Sequence, residues 1–190
     1  MADDSPDEDL LTQCGSYEYV IVGGGIHGTY LANYLLTEGE YTHDEIRVLD
    51  PCNELLASFA TKARQCGTET LRSTFVHHID IEPFSLESFA EEAGREGELV
   101  STESYPDRPT LDLFLDHARD VVDRRDLDDC HHRSRVTDVT RSAFREGYVV
   151  ETGTGTIETH RIVLAIGLGA TPTLPEWTTS LPDDAPLAHV

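Results

Sequence analysis

Residues 17–22 (Tyr-Glu-Tyr-Val-Ile-Val) end in an unbroken apolar run that stops at three glycines. The run predicts a strand. Residues 27–36 follow with helical spacing, placing Leu31, Tyr34 and Leu35 on one face. Residues 45–50 (Glu-Ile-Arg-Val-Leu-Asp) predict a second strand. Together they form a βαβ unit, whose crossover should be right-handed. Residues 51–108 are irregular except where Leu86, Phe89, Ala90 and Ala93 fall at i, i+3, i+4 and i+7, with Gly94 as a stop. The clearest helix follows. Pro109 suits its first turn, and Leu111, Phe114, Leu115, Ala118, Val121 and Val122 make its apolar stripe. Residues 134–140, 147–152 and 156–159 predict three short strands, with Gly153-Thr154-Gly155 as a turn. Residues 161–166 contain Ile162-Val163-Leu164-Ala165-Ile166, a run suited to a parallel strand covered on both faces. The expected boundaries are a disordered acidic leader at 1–15, one α/β domain at 16–177 and an irregular tail at 178–190.

The glycines after the first strand carry the chemistry. Gly23-Gly24-Gly25-Ile26-His27-Gly28 matches G-x-G-x-x-G between a strand and a helix. Gly23 allows a sharp turn, Gly25 leaves room for a phosphate, and Gly28 lets helix and strand pack closely. The first N–H groups of the helix have no partner inside it and sit at the positive end of its dipole. A pyrophosphate is therefore bound by backbone. Asp50 ends the second strand 22 residues after Gly28. A carboxylate there accepts hydrogen bonds from a ribose 2′-hydroxyl and disfavours a 2′-phosphate.

Composition changes the picture in one respect. The 190 residues hold 36 acidic and 14 basic side chains, a net charge of −22, and Lys62 is the only lysine. Such a surface argues against nucleic-acid or anionic-membrane partners. It reads as a cytoplasmic protein of a salt-accumulating halophile. The start of the chain is polar and acidic, unlike a signal peptide, and no apolar run is long enough to cross a membrane. Cys14, Cys52, Cys66 and Cys130 are too scattered for a zinc site or a disulfide frame. His77-His78 and His131-His132 are adjacent pairs that point apart on a strand, so no metal site is expected.

The order of elements narrows the ligand. A plain NAD-binding domain continues βαβα after its second strand. This chain passes instead through an irregular segment, a helix and three short strands before its last buried run. That order resembles the FAD-binding domain of the two-dinucleotide-binding-domain flavoproteins. The resemblance implies a Rossmann-like FAD/NAD(P)-binding fold: a parallel sheet with helices and a three-stranded β-meander crossover. It places Leu164-Ala165-Ile166-Gly167 beside the cofactor, with Ala165 and Gly167 as contacts. It also puts Pro51 beside the cofactor after Asp50, and Val136 near the adenine, on the strand that follows the long helix.

A narrower resemblance runs through Thr70-Leu71-Arg72-Ser73-Thr74-Phe75-Val76-His77-His78-Ile79-Asp80, Pro83-Phe84-Ser85-Leu86 and Arg108-Pro109-Thr110-Leu111-Asp112-Leu113-Phe114. These segments look like the lysine/ornithine N-hydroxylating flavin monooxygenases. The resemblance implies FAD as cofactor, NADPH as co-substrate, a small-molecule amine substrate, and a flavin-proximal segment containing Arg72. Arg72 suits a flavin or substrate anion as well as a neighbouring carboxylate. Such proteins carry a second G-x-G-x-x-G for NADPH, and these residues hold only the first. A fragment and a natural half are both consistent with that, as are a partner domain and a homo-oligomer. Two alternatives stay open: a non-catalytic nucleotide-binding module and an NAD-dependent dehydrogenase. Ser73, His77 and Asp80 lack the G-x-S-x-G elbow of a hydrolase.

Self-repulsion at −22 predicts salt-dependent stability. The Debye length shrinks from about 30 Å at about 0.01 M salt to about 3 Å at about 1 M. The thermal midpoint should rise steadily across that range in KCl. A flat midpoint would count against charge repulsion as the limiting term.

Overall fold

The computed structural model describes residues 16–103, 106–143, 146–167 and 175–182. The leader expected at 1–15, the end of the Gly167-Leu168-Gly169 motif and most of the tail lie outside these. Strand β1 (Ser16–Val22) is central. Strand β2 (Ile46–Asp50) pairs with it in parallel on one side, with Ile21 opposite Val48. Strand β8 (Gly155–Leu164) pairs in parallel on the other, with Ile21 opposite Val163. Strand β5 (His131–Arg133) extends the parallel part beyond β2. Strands β6 (Val136–Arg141) and β7 (Tyr148–Thr152) complete a six-stranded sheet in the order β5-β2-β1-β8-β7-β6, with antiparallel pairs at the β6 end.

Both faces of β1 are buried, which explains its apolar end. On one face Ile21, Ile46 and Val48 pack with Ala32 and Leu35 of helix α1 (Ile26–Thr37) and with Ala118, Val121 and Val122 of helix α4 (Leu111–Arg124). On the other, Val20, Val22 and Leu49 pack with Val150, Val136, Val139 and Ile157 of the antiparallel strands. A second core joins the first half of α4 to helices α2 (Ala57–Gln65) and α3 (Ser85–Glu92). Leu111, Phe114, Ala63, Phe75 and Leu86 meet there.

Several expectations change, among them the irregular reading of residues 51–108, which also hold helix α2. The strand expected at 156–159 and the returning strand are one, β8. Its first half pairs with β7 and its second with β1. The polar His160 and Arg161 do not break it, because both reach Glu18, at 3.2 and 2.9 Å. The first meander strand starts at Val136 rather than 134, because the Ser134 N–H is drawn to the Asp50 carbonyl at 3.0 Å. Pro109 lies in a two-residue strand, β4 (Arg108–Pro109), paired with β3 (Leu99–Val100). Thr110 caps α4 instead, accepting from the Leu113 N–H at 3.2 Å. Tyr34 is exposed, and the buried face of α1 is Gly28, Thr29, Ala32, Asn33 and Leu35. A 3-10 turn, Glu176–Ser180, crosses the boundary drawn at 177.

A buried polar network locks α4 to α3. The Ser85 hydroxyl donates to Asp80 Oδ2 at 2.5 Å, and Arg124 donates to the same oxygen at 2.9 Å. Ser85 Oγ also lies 2.7 Å from His117 Nε2. The serine proton goes to the carboxylate, so Nε2 is assigned as the protonated nitrogen of His117. Its Nδ1 is buried and has no hydrogen-bond partner among the described residues. Burial, with His78 packed edge-on at 5.0 Å, pushes the His117 pKa down to about 4. Burial works to raise the Asp80 carboxyl, but Ser85, Arg124 and the Ile81 N–H outweigh it and hold it at about 2. This is not a hydrolytic triad, because the serine proton faces the acid rather than the imidazole.

The depressed His117 pKa makes stability pH-dependent with a definite sign. The fold favours the neutral ring, so its contribution is complete above about pH 6.5 and is lost as pH falls toward 4. Asp80 adds a separate loss only from about pH 4 down to 2. Urea unfolding at pH 7 and pH 5 should show wild type losing about 2 kcal/mol more than His117→Gln. Equal losses would refute the assignment.

Candidate functional site

The site lies at the carboxyl ends of β1, β2 and β8. At the end of β1 the chain turns through Gly23, whose φ is +109°. A Cβ there would sit 2.5 Å from the Ala165 carbonyl oxygen. The Gly23 N–H donates to the Leu49 carbonyl at 2.8 Å, and the Ala165 N–H donates to the Val22 carbonyl at 2.8 Å. The turn is thus stitched to strands on both sides. A Cβ on Gly28 would land on the Gly23 carbonyl oxygen. The third glycine therefore seats α1 against the turn, as its spacing predicted.

Gly25 is the exception among these glycines. A Cβ there meets nothing within 4 Å, and its φ is −76°. The fold does not need glycine here, so the open space is what the position provides. Gly25 caps α1, and the Gly25, Ile26 and His27 N–H groups find no acceptor among the described residues. The first turn of α1 carries no acidic side chain to occupy them. Orphan donors at a helix start, over space that a side chain would fill, form an anion cradle.

Gly24 is held from three sides. Its N–H donates to Asp50 Oδ2 at 2.8 Å. Its carbonyl accepts from the Leu56 N–H at 2.7 Å and the Thr29 hydroxyl at 3.2 Å. The other Asp50 oxygen, Oδ1, accepts from the Cys52 N–H at 2.8 Å. Asp50 is thus at the predicted place, but both of its oxygens already serve backbone. Burial, then the neighbouring Asp50, pushes the Cys52 thiol up, so it is no thiolate nucleophile.

The remaining predicted residues divide. Ile26 is half-buried between the two cores, and His27 is exposed on the outer side of α1. Pro51 is exposed beside Asp50. Gly167, at φ +64°, closes the run after β8, and Ile166 beside it is 64% exposed. Val136 lies on a different strand from the one expected. The strand that follows the long helix is β5, and Val136 opens the next strand, half-buried against the Val20–Leu49 core. Arg72 is exposed and makes no ion pair among the described residues. Its segment is tied to residues 107–111, through Leu71 N–H to Pro109 and Phe75 N–H to Asp107, and no described bond joins it to the glycine turn. His77 is exposed and His78 buried. An open cleft of ≈700 Å³ between α3 and α4, lined by Asp80, Ser85, Phe89 and Arg124, does not border the turn.

The sequence did not reveal Leu56, Thr29 or Arg133. Arg133 ends β5 in register with Asp50 and donates through Nε to the Pro51 carbonyl at 3.4 Å. It went unseen because β5 was not legible. Among the described residues no group of three His, Cys, Asp or Glu is placed to hold a metal ion. No described helix is long and apolar enough to cross a membrane.

A family model described as FAD-NAD(P)-binding matches residues 20–169. The chain belongs to that family. Solved structures share its fold. A cyclohexanone monooxygenase mutant from Rhodococcus sp. Phi1 bound to NADP+ is 18% identical with a TM-score of 0.59, covering 84% of this chain and 28% of that one. A steroid monooxygenase bound to NADP is 19% identical with a TM-score of 0.56, covering 80% and 26%. A bacillithiol disulfide reductase from Staphylococcus aureus is 17% identical with a TM-score of 0.51, covering 80% and 38%. The chain therefore spans about a quarter of the length of these monooxygenases. No curated protein matches it. The family fits the cradle: a dinucleotide brings the pyrophosphate that the Gly25 space and the helix start can take.

The contacts separate glycines that shape the turn from the one that faces a ligand. Gly28→Ala should lower stability by at least about 2 kcal/mol, because the methyl meets backbone that cannot yield. A Gly28→Ala protein as stable as wild type in urea would show that α1 does not pack as described.

Proposed function

We propose that this domain binds FAD and forms the FAD-binding part of a flavin-dependent oxidoreductase of the monooxygenase kind. The observation that carries the reading is the Gly25 cradle in its setting. Orphan N–H groups open α1 between a two-sided sheet and a meander crossover. Among the family's two dinucleotides, the meander favours FAD, because an NAD-binding unit would continue βαβα. The pyrophosphate lies on Gly23–Gly28, the adenosine toward Asp50, Pro51 and Arg133, and the flavin toward Ala165 and Gly167. Bound FAD would supply the redox chemistry, with NADPH as reductant. The residues here bind and orient it. The resemblance of residues 70–86 supports an N-hydroxylating member acting on a small amine.

NADPH oxidation by the FAD-loaded protein separates turnover from cofactor binding alone.

Gly25→Ala isolates the binding claim. The substitution meets open space at an ordinary φ, so the thermal midpoint should stay close to wild type. FAD affinity, followed by quenching of flavin fluorescence in high salt, should fall about tenfold or more. A wild-type protein that takes up no FAD sinks the proposal, as does a Gly25→Ala variant that binds FAD undiminished.

A further inference from the structure

We infer that salt regulates cofactor loading at this site: the cradle holds a diphosphate more tightly as ionic strength rises, the reverse of an anion site built from lysine and arginine. This rests on the FAD-binding reading above. Two forces on the ligand differ in reach. The chain carries 36 acidic against 14 basic side chains, a net charge of −22, and that field opposes a diphosphate from a distance. Its reach is the Debye length, about 10 Å at about 0.1 M salt and about 3 Å at about 1 M. The attraction comes from N–H groups that act at contact, where no mobile ion intervenes. The start of α1 adds the equivalent of only about +0.5 charge, too little to offset the field of the whole chain.

The local structure supplies no cation that reverses this sign. Residues 23–28 and 162–167, which form the turn and the end of the returning strand, contain no lysine or arginine. Arg161 of β8 is taken by Glu18 at 2.9 Å. Arg133, set beside Asp50 by strand register, turns its Nε to the Pro51 carbonyl at 3.4 Å. Arg72 lies in a segment that no described bond joins to the turn. Acids do stand at the site. Asp50 accepts from the Gly24 N–H at 2.8 Å. Glu54 is exposed on the loop whose Leu56 N–H reaches the Gly24 carbonyl at 2.7 Å. Added salt therefore removes repulsion and leaves the binding contacts in place. Concentrated salt loads the site, and dilution empties it before the fold is lost.

The test follows binding of FAD, ADP and pyrophosphate to wild type, Glu54→Gln and Arg133→Gln from about 0.1 to about 2 M KCl, at about pH 8 where histidine is neutral. Circular dichroism defines the salt range in which the unliganded protein is folded. Added sucrose extends that range downward, because an excluded osmolyte favours the fold without screening charge. Affinity for ADP should rise at least about tenfold across the range. Pyrophosphate should follow the same trend, and it has no apolar surface through which salt could act otherwise. Glu54→Gln should bind ADP about twofold more tightly than wild type at about 0.1 M and equally at about 2 M. A merely structural effect of that substitution would not vanish with salt. Arg133→Gln should keep the rising trend. A wild-type affinity that falls with salt, and that Arg133→Gln flattens, overturns the inference and makes Arg133 the anchor of the anion. A flat affinity overturns it as well, and in both cases FAD binding itself stands. Should either variant fail to fold, the wild-type trend alone decides. If no probe, FAD included, binds wild type at any salt concentration, the FAD reading falls and this inference with it.

Discussion

The Gly23 carbonyl stands where a Cβ on residue 28 would be, and the Ala165 carbonyl lies 2.5 Å from where a Cβ on residue 23 would be. Three backbone segments, the end of β1, the start of α1 and the end of β8, meet without a side chain between them. Everything else at the site depends on this contact. It sets the distance of α1 from the sheet, and so the depth at which the helix start opens beside Gly25. It also brings the last parallel strand against the turn, so the ends of β2 and β8 flank one turn. Loosening it would move the orphan N–H groups away from the space they face.

The sheet makes that contact sustainable by being covered unequally. Helices α1 and α4 bury one face, and the antiparallel strands bury the other. Strand β8 belongs to both systems, pairing first with β7 and then with β1. Its carboxyl end therefore cannot shift without disturbing the meander. The buried tie from Asp80 through Ser85 to His117 plays a similar part for α4, fixing it to α3 rather than letting it slide along the sheet. Arg124 and Arg95 each bridge acids from separate parts of the chain.

What was legible in the sequence followed from periodicity and from glycine. The end of β1, the G-x-G-x-x-G turn and the stripe of α4 all announce themselves, because burial on known faces demands apolar side chains at fixed spacing. Strand β5 did not, because His131, His132 and Arg133 are polar and the strand is held by its backbone bonds to β2. The continuity of β8 was hidden by His160 and Arg161, whose partner Glu18 lies far away in sequence. Helix α2 has few apolar residues and a left-handed leucine before it, a start that no capping rule signals. Asp50 was legible as an acid at a strand end. Its partners were not, since a hydrogen bond to a backbone amide leaves no trace in residue type.

The same limit explains how so acidic a chain can hold an anionic ligand. At net charge −22 the long-range field repels a diphosphate. That repulsion decays within a Debye length, whereas a hydrogen bond from a backbone N–H acts at contact and needs no compensating lysine. The binding donors must then be aimed by structure, because no flexible cation can search for the ligand. Aiming a peptide N–H requires fixing the carbonyl on its other side. In this chain that demand converges on one residue, Gly24, and on the acid and the leucine that hold it. In an acidic protein that binds an anion through backbone, the side chains that hold the turn therefore matter as much as any group that meets the ligand.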